Sequence, residues 1–164
     1  MNWGTNEWWI ENQDGATIDI IEDECDMGRG VQIWNCVNTT VNIQGKVKGV
    51  TIVKCKNSNV NVSQTMAPLS MSSCDTVNVR PLKSVKFIEM SKCDSCHLIL
   101  NQANRDAKLQ TNFCSGIFMK FPKEGAEGDA LTDENQFASI PITEMYESVI
   151  RGNEIVTMPV ECLE

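Results

Sequence analysis

The sequence predicts an all-β protein, a parallel β-helix of about six coils followed by a C-terminal β-hairpin extension. Three observations carry that expectation. Cys36, Cys55, Cys74 and Cys93 are each 19 residues apart (55−36, 74−55, 93−74). The apolar residues around them repeat with the same spacing: Val31 and Ile33, Val50 and Ile52, Leu69 and Met71, Ile88 and Met90 lie before the cysteines, and Val41 and Ile43, Val60 and Val62, Leu98 and Leu100 lie after them. Within each copy these residues alternate with polar ones, as in Val31-Gln32-Ile33 and Val60-Asn61-Val62, which is the two-residue period of a strand. Strand, turn, strand, turn in 19 residues leaves no room for a helical crossover, so each copy reads as one coil stacked on the last at roughly 4.8 Å. The third copy reads as slipped, with Val77 and Val79 arriving two residues early.

Taken in order, residues 1–15 read as a lead-in whose Trp8, Trp9 and Ile10 cover the first coil, because the open end of a β-helix needs a cap. Residues 16–122 read as the β-helix. Thr17-Ile18-Asp19-Ile20 is its first strand, and regular coils run from Val31 to Phe121. The turns Asn38-Thr39-Thr40, Asn57-Ser58-Asn59 and Asp94-Ser95 carry side chains that bond to nearby backbone. Cys114 arrives two residues late (114−93 = 21), and Ile117 and Met119 close the regular part. Residues 123–138 read as an acidic, glycine-rich loop. Residues 139–164 read as an extension: Ser139-Ile140-Pro141-Ile142 starts a new pattern, and Glu144–Ile150 suits a short helix or a strand. Arg151-Gly152-Asn153-Glu154 is a turn, and Ile155–Met158 a strand. This extension is not another coil. It folds back over the open end or pairs with another chain, and a homodimer is expected.

The 164 residues suffice for one domain with a core. A net charge of −8 argues against nucleic acid and anionic membrane as partners. The apolar runs are too short for a transmembrane helix. Met1–Glu7 shows no basic segment followed by an apolar one, so a reducing, cytoplasmic setting is expected.

The cysteines then form an internal column of reduced thiols at a corner of the coil. Identical positions in stacked strands rarely give a disulfide its dihedral angle. Cys93-Asp94-Ser95-Cys96-His97 matches the Cys-x-x-Cys-His string of haem attachment, but Cys93 already belongs to the column, and zinc would need a further pair of ligands. His97, the sole histidine, neighbours Cys96 on a strand, so their side chains face opposite ways and make no catalytic pair. Gly28-Arg29-Gly30 lacks the lysine of a phosphate loop. Outward positions carry no clustered aspartates of the kind β-helix hydrolases use. No catalytic residue, metal or cofactor is expected. What remains is a polar, partly basic sheet face containing Asn42, Gln44, Lys46, Lys48, Thr51, Lys86, Ser91 and Lys92, whose plainest role is to face solvent.

Four stretches also resemble a known family: Trp9-Ile10-Glu11-Asn12-Gln13, Cys36-Val37-Asn38-Thr39-Thr40-Val41-Asn42-Ile43-Gln44-Gly45-Lys46-Val47, Ser91-Lys92-Cys93-Asp94-Ser95-Cys96-His97-Leu98 and Ile140-Pro141-Ile142-Thr143-Glu144. They are similar to the C-terminal domain of cyclase-associated proteins, over roughly Trp8 to Val160. The resemblance implies a right-handed parallel β-helix that dimerises by exchanging C-terminal strands. It implies a non-enzymatic protein of the cytoplasmic actin cytoskeleton that binds monomeric actin, preferentially with ADP bound, and promotes nucleotide exchange. The actin-binding positions it implies are Asn38, Thr40, Gln44, Lys46, Ser91, Lys92 and Asp94; the dimerisation positions are Ile140, Ile142, Ile155, Val156, Met158 and Val160. Sequestration of actin without exchange is the alternative. A GTPase activator like tubulin cofactor C is disfavoured, because none of Arg29, Arg80, Arg105 and Arg151 lies in a Gln-x-Arg-x-His string. The helical and proline-rich portions typical of the family do not precede Trp8 in this sequence, as expected either of a compact member or of a piece of a longer chain, and the ending Pro159–Glu164 lacks the family's usual small residues.

Overall fold

Each repeat copy becomes one coil of two strands in the computed structural model, which describes residues 7–123, 137–142 and 146–160. Coil 1 holds β1 (Glu7–Glu11) and β2 (Thr17–Ile20), coil 2 β3 (Gly30–Trp34) and β4 (Thr40–Val47), and coil 3 β5 (Val50–Val53) and β6 (Asn59–Thr65). Coil 4 holds β7 (Leu69–Ser72) and β8 (Asn78–Ser84), coil 5 β9 (Phe87–Ser91) and β10 (His97–Ile99), and coil 6 β11 (Lys108–Asn112) and β12 (Phe118–Pro122). The odd-numbered strands β1 to β11 stack into one parallel sheet, and the even-numbered strands β2 to β12 into a second. The chain is thus an all-β solenoid of six turns, as the period predicts.

The core lies between the two sheets and is built in columns. Val31, Val50, Leu69 and Ile88 pair in register on the first sheet, as do Ile33, Ile52, Met71 and Met90; all are buried. Val41, Val60, Val79 and Leu98 form the matching column of the second sheet. Coils 2 to 5 therefore bury like against like, and the register is specified because a one-residue slip would turn each column out to solvent.

Two readings of the sequence are corrected, and one left open is decided. The third copy does not slip: Val79 pairs with Val60 and sits five residues after Cys74 (79−74), as Val41 and Val60 do after their cysteines. Val77 falls instead on the buried corner position that Cys96 holds one coil later. The apolar marker is hidden because Pro81 pairs with Val62. Proline gives no N–H to the ladder, and the β6–β8 register shifts just past it.

Second, Trp8–Ile10 do not form a lid over the first coil. They belong to β1, which pairs residue by residue with β3 from Glu7↔Gly30 to Glu11↔Trp34. This coil has no cysteine marker, since Gln13 precedes the Asp14↔Val37 bridge where Cys36 would stand, and its return path contains the 3-10 turn Glu22–Glu24. Gly45 lets that turn approach β4: a Cβ there would lie 2.7 Å from the Cβ of Cys25. The late arrival of Cys114 has a parallel cause, the 3-10 turn Gln102–Asn104 between β10 and β11. Its Asn104 is buried, accepts from the N–H of Val85 at 3.0 Å and donates to the carbonyl of Pro81 at 3.3 Å.

Third, Tyr146–Ile150, read as helix or strand, is strand. β13 (Phe137–Pro141) runs antiparallel to β12, and the N–H of Ile142 bonds to Ile117 O at 2.8 Å, so this segment turns back on the last coil. β14 (Tyr146–Arg151) and β15 (Glu154–Pro159) form an antiparallel hairpin around Gly152, whose φ of 62° suits the turn. Most of the expected acidic loop (124–136), Thr143–Met145 and the ending Glu161–Glu164 lie outside the described residues.

Candidate functional site

The corner between the two sheets organises the outer surface. In each coil the residue before the cysteine column and the residue two after it take a left-handed backbone. Ten non-glycine residues do so among those described, all in this corner, including Asn38 (φ 51°), Lys92 (φ 54°) and the β-branched Thr76 (φ 55°). Such a conformation costs about 1–2 kcal/mol for an L-residue. It is held by ladder bonds to the next coil, Asn38 N to Lys56 O at 3.1 Å and Lys92 N to Asn112 O at 2.9 Å among them.

Inside the corner the described cysteines are free thiols. Each donates to backbone, as Cys55 does to Val53 O at 3.4 Å and Ile33 O at 3.7 Å. Cys74 is held protonated by hydrogen bonding to Cys55 and Cys93, and burial adds to the effect. Burial also pushes the Cys36 thiol up. Cys36 and Cys74 thus pack rather than react, while hydrogen bonding to Cys74 pushes the Cys55 and Cys93 thiols down. Cys96 points inward, with its Sγ 3.8 Å from Cys74 O, whereas His97 stacks outward on Phe118 with ring centroids 5.4 Å apart. Burial and then Lys120 push the His97 pKa below its ordinary value.

The outer face of the second sheet is an amide ladder. Asn61 Nδ2 donates to Asn42 Oδ1 at 2.7 Å, Asn42 Nδ2 to Asp19 Oδ1 at 2.7 Å, and Asn78 Nδ2 to Asn59 Oδ1 at 3.1 Å. In-register stacking places identical amides one strand spacing apart, so each can bond the next. The column Asn42, Asn61 continues at Arg80, which pairs with Asn61 across β6 and β8. Two grooves flank Arg80. One, of about 460 Å³, is lined by Asn42, Gln44, Asn61, Ser63, Arg80 and Lys83 among others. The other, of about 210 Å³, is lined by Thr40, Asn59, Asn61, Asn78, Arg80 and Ile99.

The seven positions singled out in the sequence do not make one patch. Thr40, Gln44 and Lys46 alternate along the outer side of β4, and Thr40 and Gln44 line the two grooves. Asn38 is exposed at the corner, 3.5 Å from Asp14 Oδ1 through its Nδ2. Lys92 and Asp94 are exposed at the same corner three coils further on, and Ser91 is half-buried at the end of β9 in the first sheet. Arg80 and Lys83 were missed. The period does point to Arg80, since Asn42, Asn61 and Arg80 are 19 residues apart (61−42, 80−61).

The six positions expected at a dimer interface also divide. Ile142 is half-buried against the core, and Ile140 on β13 is 51% exposed. Ile155, at 74% exposed, and Met158, at 46%, lie on the hairpin with the half-buried Val156, and Val160 follows it. Among the described residues neither β14 nor β15 pairs with any other strand.

The model of the family described as adenylate cyclase associated (CAP) C terminal matches residues 1–162. Human (Homo sapiens) adenylyl cyclase-associated protein 1 is 27% identical over 155 residues, which is 94% of this chain and 30% of the relative. The chain thus spans less than a third of that protein's length. The crystal structure of cyclase-associated protein from Cryptosporidium parvum matches with a TM-score of 0.83 at 15% identity, over 94% of this chain and 91% of that one; at such identity the likeness is one of fold.

Proposed function

Because the chain belongs to the CAP C-terminal family, we propose that it binds monomeric actin, with preference for the ADP-bound form, and promotes exchange of the bound nucleotide in the cytoplasmic actin cytoskeleton. The family match over nearly the whole chain carries this reading. The outer face of the second sheet is consistent with it, being polar and, at Arg80 and Lys83, locally basic on a chain of net charge −8. The role is that of a binding regulator and not of an enzyme. Exchange requires that the chain bind actin's open, nucleotide-free state more tightly than its ADP state, because only differential affinity shifts such an equilibrium.

The hairpin supports a homodimer in the same reading. Ile150 and Ile155 face each other across it at 80% and 74% exposure. A two-stranded hairpin is marginal in water by itself, so a second copy is proposed to cover it by strand exchange.

The deciding experiment follows release of fluorescent ADP from monomeric actin. Faster release in the presence of the chain supports exchange, whereas binding with unchanged or slower release selects sequestration. Lys46→Glu combined with Lys92→Glu should weaken binding at least fivefold without changing the melt, through lost attraction to an acidic partner. Wild-type affinity in that variant removes these lysines from the interface.

A further inference from the structure

Arg80 carries an observation that the positions implied by resemblance do not explain. Its Nε is enclosed, and no hydrogen-bond acceptor meets it among the described residues. An enclosed donor without an acceptor is costly, and for a charged guanidinium more so. The surrounding side chains do not relieve it. Of the oxygens nearby, Asn42 Oδ1 already accepts from Asn61 and Asn59 Oδ1 from Asn78, and the Asp19 carboxylate accepts from Asn42 at the far end of that column. Among the described residues no carboxylate lines either groove beside Arg80, and Lys83 lines the larger one. Leu82, on the lip of that groove, is 44% exposed. In a chain of net charge −8 this is a local concentration of unneutralised positive charge beside an apolar contact.

We propose that Arg80, with Lys83 beside it, anchors a carboxylate on an acidic segment of actin; this rests on the actin-binding reading given above. With its Nε enclosed, the guanidinium offers a carboxylate its two terminal Nη groups, a planar fork met by two parallel hydrogen bonds. The grooves are open along the sheet, a shape that suits an extended protein segment better than a small enclosed anion. Leu82 supplies the apolar contact such a segment needs.

The test uses the whole chain and monomeric actin. Arg80→Ala should weaken binding by about tenfold or more, the scale of a lost charge-assisted hydrogen bond. Arg80→Gln, which keeps the stem but not the charge, should show a comparable loss, and both variants should lose part of the wild-type salt dependence. Because Arg80 Nε has no partner to lose among the described residues, the urea midpoint of either variant should match or exceed that of the wild type. If the wild type binds and both variants bind within twofold of it, the anchor is overturned while the actin reading stands. A loss of affinity that tracks a lowered urea midpoint in both variants also overturns it, in favour of a structural role. If the wild type itself fails to bind, the actin reading falls and the anchor with it.

Discussion

Thr76 shows how the corner overrides residue preference. A β-branched side chain rarely tolerates a φ of 55°, yet its N–H reaches Asp94 O at 3.0 Å and its Oγ1 reaches Asp75 Oδ1 at 2.8 Å. The inter-coil bond is independent of the side chain, so Thr76→Gly should keep the bond and shed the strain. Allowing for the extra freedom of glycine in the unfolded chain, a gain of about 0.5 kcal/mol in urea denaturation is expected. A loss of about 1 kcal/mol or more would show that Thr76 packs or bonds in a way that outweighs the strain. Nothing in the local sequence announces left-handed residues at Lys54, Thr76 or Phe113, because the ladder to the next coil imposes the conformation. Asn12, Asn35, Asn38 and Asn57 are exceptions, being residues that favour such turns.

At the scale of elements, the strands of coils 2 to 5 were legible, β8 excepted, because a cysteine marks each corner and apolar residues flank it at constant distance; in β8 Pro81 hides the second apolar position. β1 was not, since its corner carries Gln13 and its coil is lengthened by a 3-10 turn. The hairpin was legible from its turn and alternation, but not its lack of a strand partner among the described residues. Ile150→Lys with Ile155→Glu keeps the two positions complementary across the hairpin while removing their apolar surface. Light scattering should then report a monomer in place of a dimer, with the melt of the β-helix little changed. A variant of unchanged mass would place the contact elsewhere.

For the whole molecule, repetition makes a prediction that few folds allow. Removing residues 50–68 deletes one 19-residue coil and leaves Val31 facing Leu69 in the register that Val50 now mediates. The shortened chain should give a β-sheet spectrum and unfold cooperatively, with a lower urea midpoint and a smaller m-value, since it buries less surface. Removing residues 50–67 instead slips the strands by one and turns each apolar column outward, so it should not fold. A folded product from the second deletion would refute the register as the source of stability.

The sequence by itself determined the period, the two strands of each coil and the inward columns, because local alternation repeated at a fixed distance leaves one way to bury every apolar residue. It also carried the family resemblance. Only the tertiary structure decided which polar residues share a surface. Stacking brings Asn42, Asn61 and Arg80 into one column and leaves the Arg80 Nε enclosed without an acceptor among the described residues, while the same stacking scatters Asn38, Ser91 and Lys92 along a corner and a second face. Spacing shows that residues recur; the depth of a groove and the partner of a buried N–H depend on what neighbouring coils place beside them.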